Sequence, residues 1–127
     1  MTRAELSELI ENEYSVKADY PWMEYPNFAV FRHGDNKKWF ALIMEVPANK
    51  LGLPGDQSLD IVNFKCDPVL TVSLHKERGL FPAYHMSKSK WITAALDGSA
   101  EDEIIRMLLH MSYEATTARK KIGRNRI

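Results

Sequence analysis

The sequence predicts a single α+β domain in which one antiparallel sheet is covered on one face by helices. The order of periodicities carries that expectation: helical spacing first, then runs of strand-like alternation, then helix, strand and helix (α-β-β-β-α-β-α). The middle of the chain is hairpin-rich and lacks the crossover helices that a parallel sheet needs. A chain of 127 residues with 45% hydrophobic and 27% charged side chains is also long enough to bury one core without staples.

The elements follow in order. Thr2 and Glu5 have the spacing of a capping box, and Leu6, Leu9 and Ile10 then recur at helical spacing, predicting an amphipathic helix over residues 3–13. Pro21, Pro26 and the aromatics between them suit a strand and a bend. Residues 27–32 and 38–46 read as two strands joined through Gly34-Asp35-Asn36-Lys37, a hairpin connection rich in turn formers. In the second of these, alternation puts Phe40, Leu42, Met44 and Val46 on one face and Trp39, Ala41 and Ile43 on the other, so both faces should be partly covered. Residues 47–57, with two prolines and two glycines, read as an exposed loop.

Residues 58–64 form the third predicted strand. Asp67 then caps a helix that Pro68 opens at no hydrogen-bond cost, and Gly79 and Pro82 mark its end. A short strand over residues 90–96 closes at Asp97-Gly98. Ser99, with Asp102 three residues on, is the expected cap of a last helix whose core face is Ile104, Ile105, Leu108 and Leu109. One domain over residues 1–118 and a basic tail over 119–127 are expected.

Composition narrows the function classes. Seventeen basic and seventeen acidic residues cancel, but residues 1–60 carry ten acidic and six basic side chains and residues 61–127 carry seven and eleven. The excess lies in the tail, where Arg119, Lys120, Lys121, Arg124 and Arg126 have no acidic neighbour. Such a run attracts phosphate backbones, and it is equally the pattern of a solvated chain end. A single cysteine, Cys66, rules out an intramolecular disulfide and multi-cysteine metal sites, and suits the reducing cytoplasm. No run approaches the roughly 20 apolar residues that span a bilayer, so a cytoplasmic protein without a membrane partner is expected. His33, His75, His85 and His110 are too scattered for a ligand motif, and no cofactor signature is present. The chain leans towards a non-enzymatic role.

Two clusters carry what chemistry there is. Cys66 follows Lys65 just ahead of a helix N-terminus, a setting that can lower a thiol pKa, with His85 as the nearest base in sequence; a buried, inert thiol is the plainer reading. Tyr84, His85, Lys88 and Trp91 group a phenol ring, an imidazole, an ammonium and an indole near one turn. They suit either stacking and phosphate contact or the packing of that turn. Lys65, Cys66, Tyr84, His85, Lys88 and Trp91 are thus the candidate ligand-binding set.

The run Lys65-Cys66-Asp67-Pro68, then Tyr84-His85-Met86-Ser87-Lys88, Trp91, Leu96-Asp97-Gly98 and Ser112-Tyr113, together with the strand Lys38-Trp39-Phe40-Ala41-Leu42, resembles the MmcQ/YjbR family of small bacterial proteins. The resemblance covers residues 1–118. It implies a CyaY-like α+β fold and a double-wing mode of DNA binding, with no agreed enzymatic activity and so no catalytic residues to carry over. The expectation is a DNA-associated protein with contacts from Lys37 and Lys38 on the hairpin, Lys88 and Lys90 near the last strand, and Arg119, Lys120 and Lys121 in the tail. The alternative is a ligand- or protein-interaction module built on a pocket around Tyr84, His85 and Trp91.

Overall fold

Residues 1–118 are described in a computed structural model. Helix α1 (Arg3–Tyr14) begins with the predicted reciprocal cap: Glu5 N donates to Thr2 Oγ1 at 3.1 Å and Thr2 N to Glu5 Oε1 at 2.8 Å. Strands β1 (Ala29–Arg32), β2 (Trp39–Pro47) and β3 (Ser58–Lys65) follow, with a 3-10 turn at Ala48–Leu51 between the last two. Helix α2 (Pro68–Leu74) starts as expected, with Asp67 Oδ1 accepting from Val69 N at 2.8 Å and Pro68 in the first turn. Strands β4 (Leu80–Pro82) and β5 (Trp91–Ala95) and helix α3 (Asp102–Thr116) complete the domain.

The five strands form one antiparallel sheet in the order β1-β2-β3-β5-β4. Strand β4 is an addition to the predicted order. Gly79 and Pro82 read as breakers, yet Leu80, Phe81 and Pro82 itself pair with β5 at the sheet edge, where a proline is tolerated. Gly79 itself is at φ +82°, and a Cβ there would lie 2.4 Å from Ala100 N, so the link from α2 into this strand requires glycine.

Helices pack on one face only. Leu6 and Ile10 of α1, Leu74 of α2, and Ile105, Leu108 and Leu109 of α3 join Ala29, Phe31, Ile43, Val62, Phe64, Ile92 and Ala94 of the sheet in a dry core. The opposite face carries Val30, Leu42, Met44, Val46 and Ile61, covered by Trp22, Phe28, Trp39, Tyr84 and Met86 from loops and a strand end.

One correction concerns β2. Phe31 pairs with Ala41 but Arg32 pairs with Trp39, so Phe40 is an extra residue in a bulge. The bulge puts Phe40 on the helix side with Ala41 and Ile43, and leaves Trp39 on the loop-covered side with Leu42 and Met44. Simple alternation had assigned Phe40 and Trp39 the other way round. The bulge is bridged from α3: Ser112 Oγ donates to Phe40 O at 2.6 Å and accepts from Lys65 N at 2.8 Å.

A second correction concerns α3. Glu101 occupies its N-cap without a side-chain hydrogen bond, while Ser99 bonds back to Asp97 Oδ1 in the preceding turn. Asp102 instead receives the N-terminal ammonium of Met1 at 2.9 Å.

Candidate functional site

Cross-strand partners share a face of a sheet, and at one end of this sheet two such pairs line up. Arg32 of β1 faces Trp39 of β2, and Lys65 of β3 faces Trp91 of β5. The Arg32 guanidinium carbon lies 6.0 Å from the Trp39 ring centroid, and Lys65 Nζ lies 5.6 Å from that of Trp91. Cations above indole faces are attracted by the ring quadrupole. Arg32 is also ion-paired with Asp19, which fixes it over the ring. Between the two pairs is a cleft of about 320 Å³ lined by Lys37, Lys38, Trp39, Lys65 and Trp91, with Ala115 and Thr116 closing it from the end of α3. The result is a row of cation, indole, cation and indole across β1, β2, β3 and β5, with two further lysines beside it.

The hairpin turn that delivers Lys37 and Lys38 is tightly specified. His33 N donates to Lys38 O at 3.0 Å, Lys38 N donates to Asn36 Oδ1 at 2.9 Å, and Lys37 sits in the left-handed region at φ 63°. Asn36 Nδ2 donates to Thr116 O at 2.8 Å, and His33 Nε2 is 2.7 Å from Thr116 Oγ1, so the turn is bolted to the end of α3. His33 is buried against Phe40 and Tyr113. Burial lowers its pKa below the ordinary histidine value, outweighing the opposing pull of Asp35.

A second cleft, about 560 Å³, adjoins on the helix side and is lined by Lys65, Cys66, Lys90, His110, Met111 and Glu114, among others. Cys66 N donates to Lys90 O at 2.8 Å, which holds Lys90 beside Lys65. The Cys66 side chain is buried, and burial, reinforced by Asp67, pushes its thiol pKa up. The thiol is therefore protonated at neutral pH, and the activating setting that Lys65 and the start of α2 suggest is overcome by desolvation. His85 lines a different cleft, and the histidine beside Cys66 is His110, whose Nδ1 is 3.4 Å from Tyr14 Oη.

The third feature lies on the loop-covered face. Trp22, Tyr25, Phe28, Trp39, Leu42, Met44, His85 and Met86 surround an apolar cleft of about 300 Å³. Trp22 meets Trp39 edge to face at 5.7 Å and Phe28 at 6.2 Å, and Tyr25 stacks on Phe28 at 4.8 Å with the rings 13° apart. The segment bearing these rings is pinned at both ends. Asp19 exchanges two backbone hydrogen bonds with Val30, and the Arg3 guanidinium donates to Asn27 O. Tyr25 stays 54% exposed and Met23 95%, so the rim is open to solvent.

Tyr84 and His85 reach this face through a buried polar triad. Thr93 Oγ1 donates to Asn63 Oδ1, Asn63 Nδ2 donates to Tyr84 O at 3.1 Å, and Tyr84 N donates to Thr93 Oγ1 at 2.9 Å. These bonds clamp the β4–β5 connection to the sheet, with His85 at φ 61° and its ring 4.2 Å from that of Tyr84.

The predicted residues thus divide. Lys37, Lys38, Lys65, Cys66, Lys90 and Trp91 gather at the sheet end, whereas His85 lines the aromatic cleft and Tyr84 lines a smaller cleft that adjoins it through Tyr25, Phe28, Met44 and His85. The Lys88 ammonium donates to Ala83 O at 2.8 Å. Arg119, Lys120 and Lys121 lie outside the described residues, which end close to Thr116 in the wall of the basic cleft. Sequence reasoning missed Arg32, Trp22, Tyr25 and Phe28 as site residues, and Asn63 and Thr93 as the support of the Tyr84–His85 connection. The available signal was a lone asparagine inside the apolar run Ile61–Phe64, because a buried amide needs a polar partner. Among the described residues no group of three metal-ligating side chains converges, and no helix is long and apolar enough to cross a membrane.

Comparison with known proteins accords with this architecture. The YjbR family model matches residues 12–115. The chain is 39% identical over 116 residues to the uncharacterised Bacillus subtilis protein YyaQ, covering 91% of this chain and 98% of that one. A crystal structure of a Pseudomonas syringae protein superposes with a TM-score of 0.90 at 42% identity, covering 92% of this chain and all of that one. The Deinococcus radiodurans protein DR2400, with a DUF419 domain, shares the fold at a TM-score of 0.69 and 22% identity, covering 96% and 88%.

Proposed function

The chain belongs to the YjbR family, and from that premise we propose that it is a cytoplasmic, non-catalytic nucleic-acid-binding protein that contacts phosphates with the lysines at one end of its sheet. The observation that carries this reading is the convergence of Lys37, Lys38 and Lys65 on one cleft beside Trp39 and Trp91, with Lys90 adjoining. Three separate turns and strand ends supply these cations, so their grouping comes from tertiary structure. Lysines act here as point charges that position a phosphate backbone without reading sequence. Arg119, Lys120 and Lys121 follow in the chain directly after this surface and would add to its field.

With zero formal net charge overall, binding is modest and falls steeply as salt rises. The test is an anisotropy titration of a labelled DNA oligonucleotide at low salt, comparing wild type with the combined change Lys37→Ala, Lys38→Ala, Lys65→Ala and Lys90→Ala. Binding by wild type and its loss in the variant are expected. Equal binding by both proteins, or none by wild type, overturns the reading.

A second reading is an interaction module that uses the aromatic cleft alone, favoured by the open, apolar setting of Tyr25, Phe28 and His85. It requires a ligand whose affinity is insensitive to salt.

A further inference from the structure

The basic cleft and the aromatic cleft are neighbours, because Trp39 lines both. Its indole is held in place from two directions, by the Arg32 guanidinium over its face and by Trp22 at 88° to its plane. One rigid ring therefore separates a surface that suits phosphates from a surface that suits flat apolar groups.

We propose that the aromatic cleft is a stacking site for an unpaired nucleobase of the same strand whose phosphates lie on the lysine-lined sheet end, so that the protein prefers single-stranded to duplex nucleic acid. This rests on the nucleic-acid reading above and adds the form of ligand to it.

Three features support the assignment. A positively charged track next to aromatic rings is the arrangement by which single strands are bound without sequence preference, since every base has a π-face. In a duplex the base faces are stacked on one another and out of reach, so aromatic walls add nothing to duplex affinity. The rings are also preorganised. Tyr25 lies nearly parallel to Phe28 and keeps 54% of its surface exposed, and Trp22, Phe28 and Trp39 are fixed by edge-to-face packing. Little side-chain freedom is lost when a base enters.

The lining is almost wholly apolar apart from the His85 imidazole at the rim. That imidazole is exposed, on a backbone in the left-handed region that histidine adopts more readily than most residues. One ring donor or acceptor is enough to bond a base edge but too little to specify one base, so the predicted preference is for unpaired bases in general.

The test uses the full chain and three probes of equal strand length: a single-stranded DNA oligonucleotide, the same sequence as a duplex, and a strand of abasic residues that keeps the phosphates. Binding is read by anisotropy at low salt, together with quenching of intrinsic tryptophan fluorescence. The single strand should bind about tenfold more tightly than the abasic strand, the loss expected for one stacked base, and it alone should quench the fluorescence strongly. Tyr25→Ala, at an exposed position, should remove most of that advantage and leave abasic binding unchanged. Lys65→Ala should weaken all three probes alike. Equal affinity for single, duplex and abasic strands would overturn the stacking site and leave the phosphate reading standing. Absence of binding to every probe would overturn both.

Discussion

The two faces of the sheet are built on different principles. On the helix-covered face, Phe31, Phe40, Phe64, Ile43, Ile92 and Leu108 are at most 1% exposed and form one dry cluster. On the other face, apolar residues of the same strands lie beneath half-buried rings from loops, and the space between those rings stays open as a cleft. Polar groups on the first face lie at its margins, where His33 packs against Phe40 and Tyr113. The second has the Asn63–Thr93 pair at its centre, used to anchor a loop. A sheet that needs only one well-packed face for stability can present the other to a partner. The helix side holds the larger buried cluster, and the loop side joins a smaller one to an open aromatic cleft.

Substitutions should separate the two roles. Phe64→Ala removes a fully buried ring from the helix-side core and should cost about 3–5 kcal/mol in denaturant unfolding. The matching change on the open face, Tyr25→Ala, should move stability by no more than about 0.5 kcal/mol. Comparable losses at both positions would erase the distinction.

Asn63→Ala sharpens the comparison from within the open face. It leaves Tyr84 O and Thr93 Oγ1 without their amide partner in a buried setting, a cost of about 1–3 kcal/mol. Amide hydrogen exchange across residues 83–90 should accelerate more than in α1. A uniform change across the domain would mean that the triad supports the fold at large rather than this loop.

The smallest effect is a pH dependence on the helix side. The folded pKa of His33 lies below its unfolded value because burial disfavours the imidazolium. As pH falls through the ordinary histidine range, the unfolded chain takes up the proton first, so stability declines, and it levels off once pH is below the folded pKa. Unfolding free energies measured across that window should fall in wild type and fall less in His33→Gln. Identical profiles would remove His33 as the cause.

What was legible in the sequence follows the range of the interactions. The caps of α1 and α2 depend on residues two or three apart, and both stand as read from Thr2-Glu5 and Asp67-Pro68. The bulge at Phe40 was not legible, because the bridge that fixes it comes from Ser112, 72 residues away. The cap of α3 was misread for a related reason: Ser99 had a nearer carboxylate in Asp97. The strand Leu80–Pro82 looked like punctuation since pairing with β5, not its own composition, makes it a strand.

The site divides in the same way. Lys37, Lys38, Lys65, Lys90 and Trp91 stand out as charges and rings near turns, but their convergence depends on strand order and register. Arg32 drew no notice because only the register shift at Phe40 sets it opposite Trp39. The proline-punctuated aromatics of residues 20–28 read as a strand and a bend, whereas their part is to wall a cleft over the open face.

If the row Arg32, Trp39, Lys65 and Trp91 meets nucleic acid, its two tryptophan indoles report on it directly. In a ¹⁵N-resolved NMR titration with single-stranded DNA at low salt, the Nε1–H signals of Trp39 and Trp91 should shift together with the backbone amides of Lys38, Lys65 and Lys90, while those of α1 stay in place. Shifts confined to α1 and α2, or none at the two indoles while the DNA binds, would contradict the account.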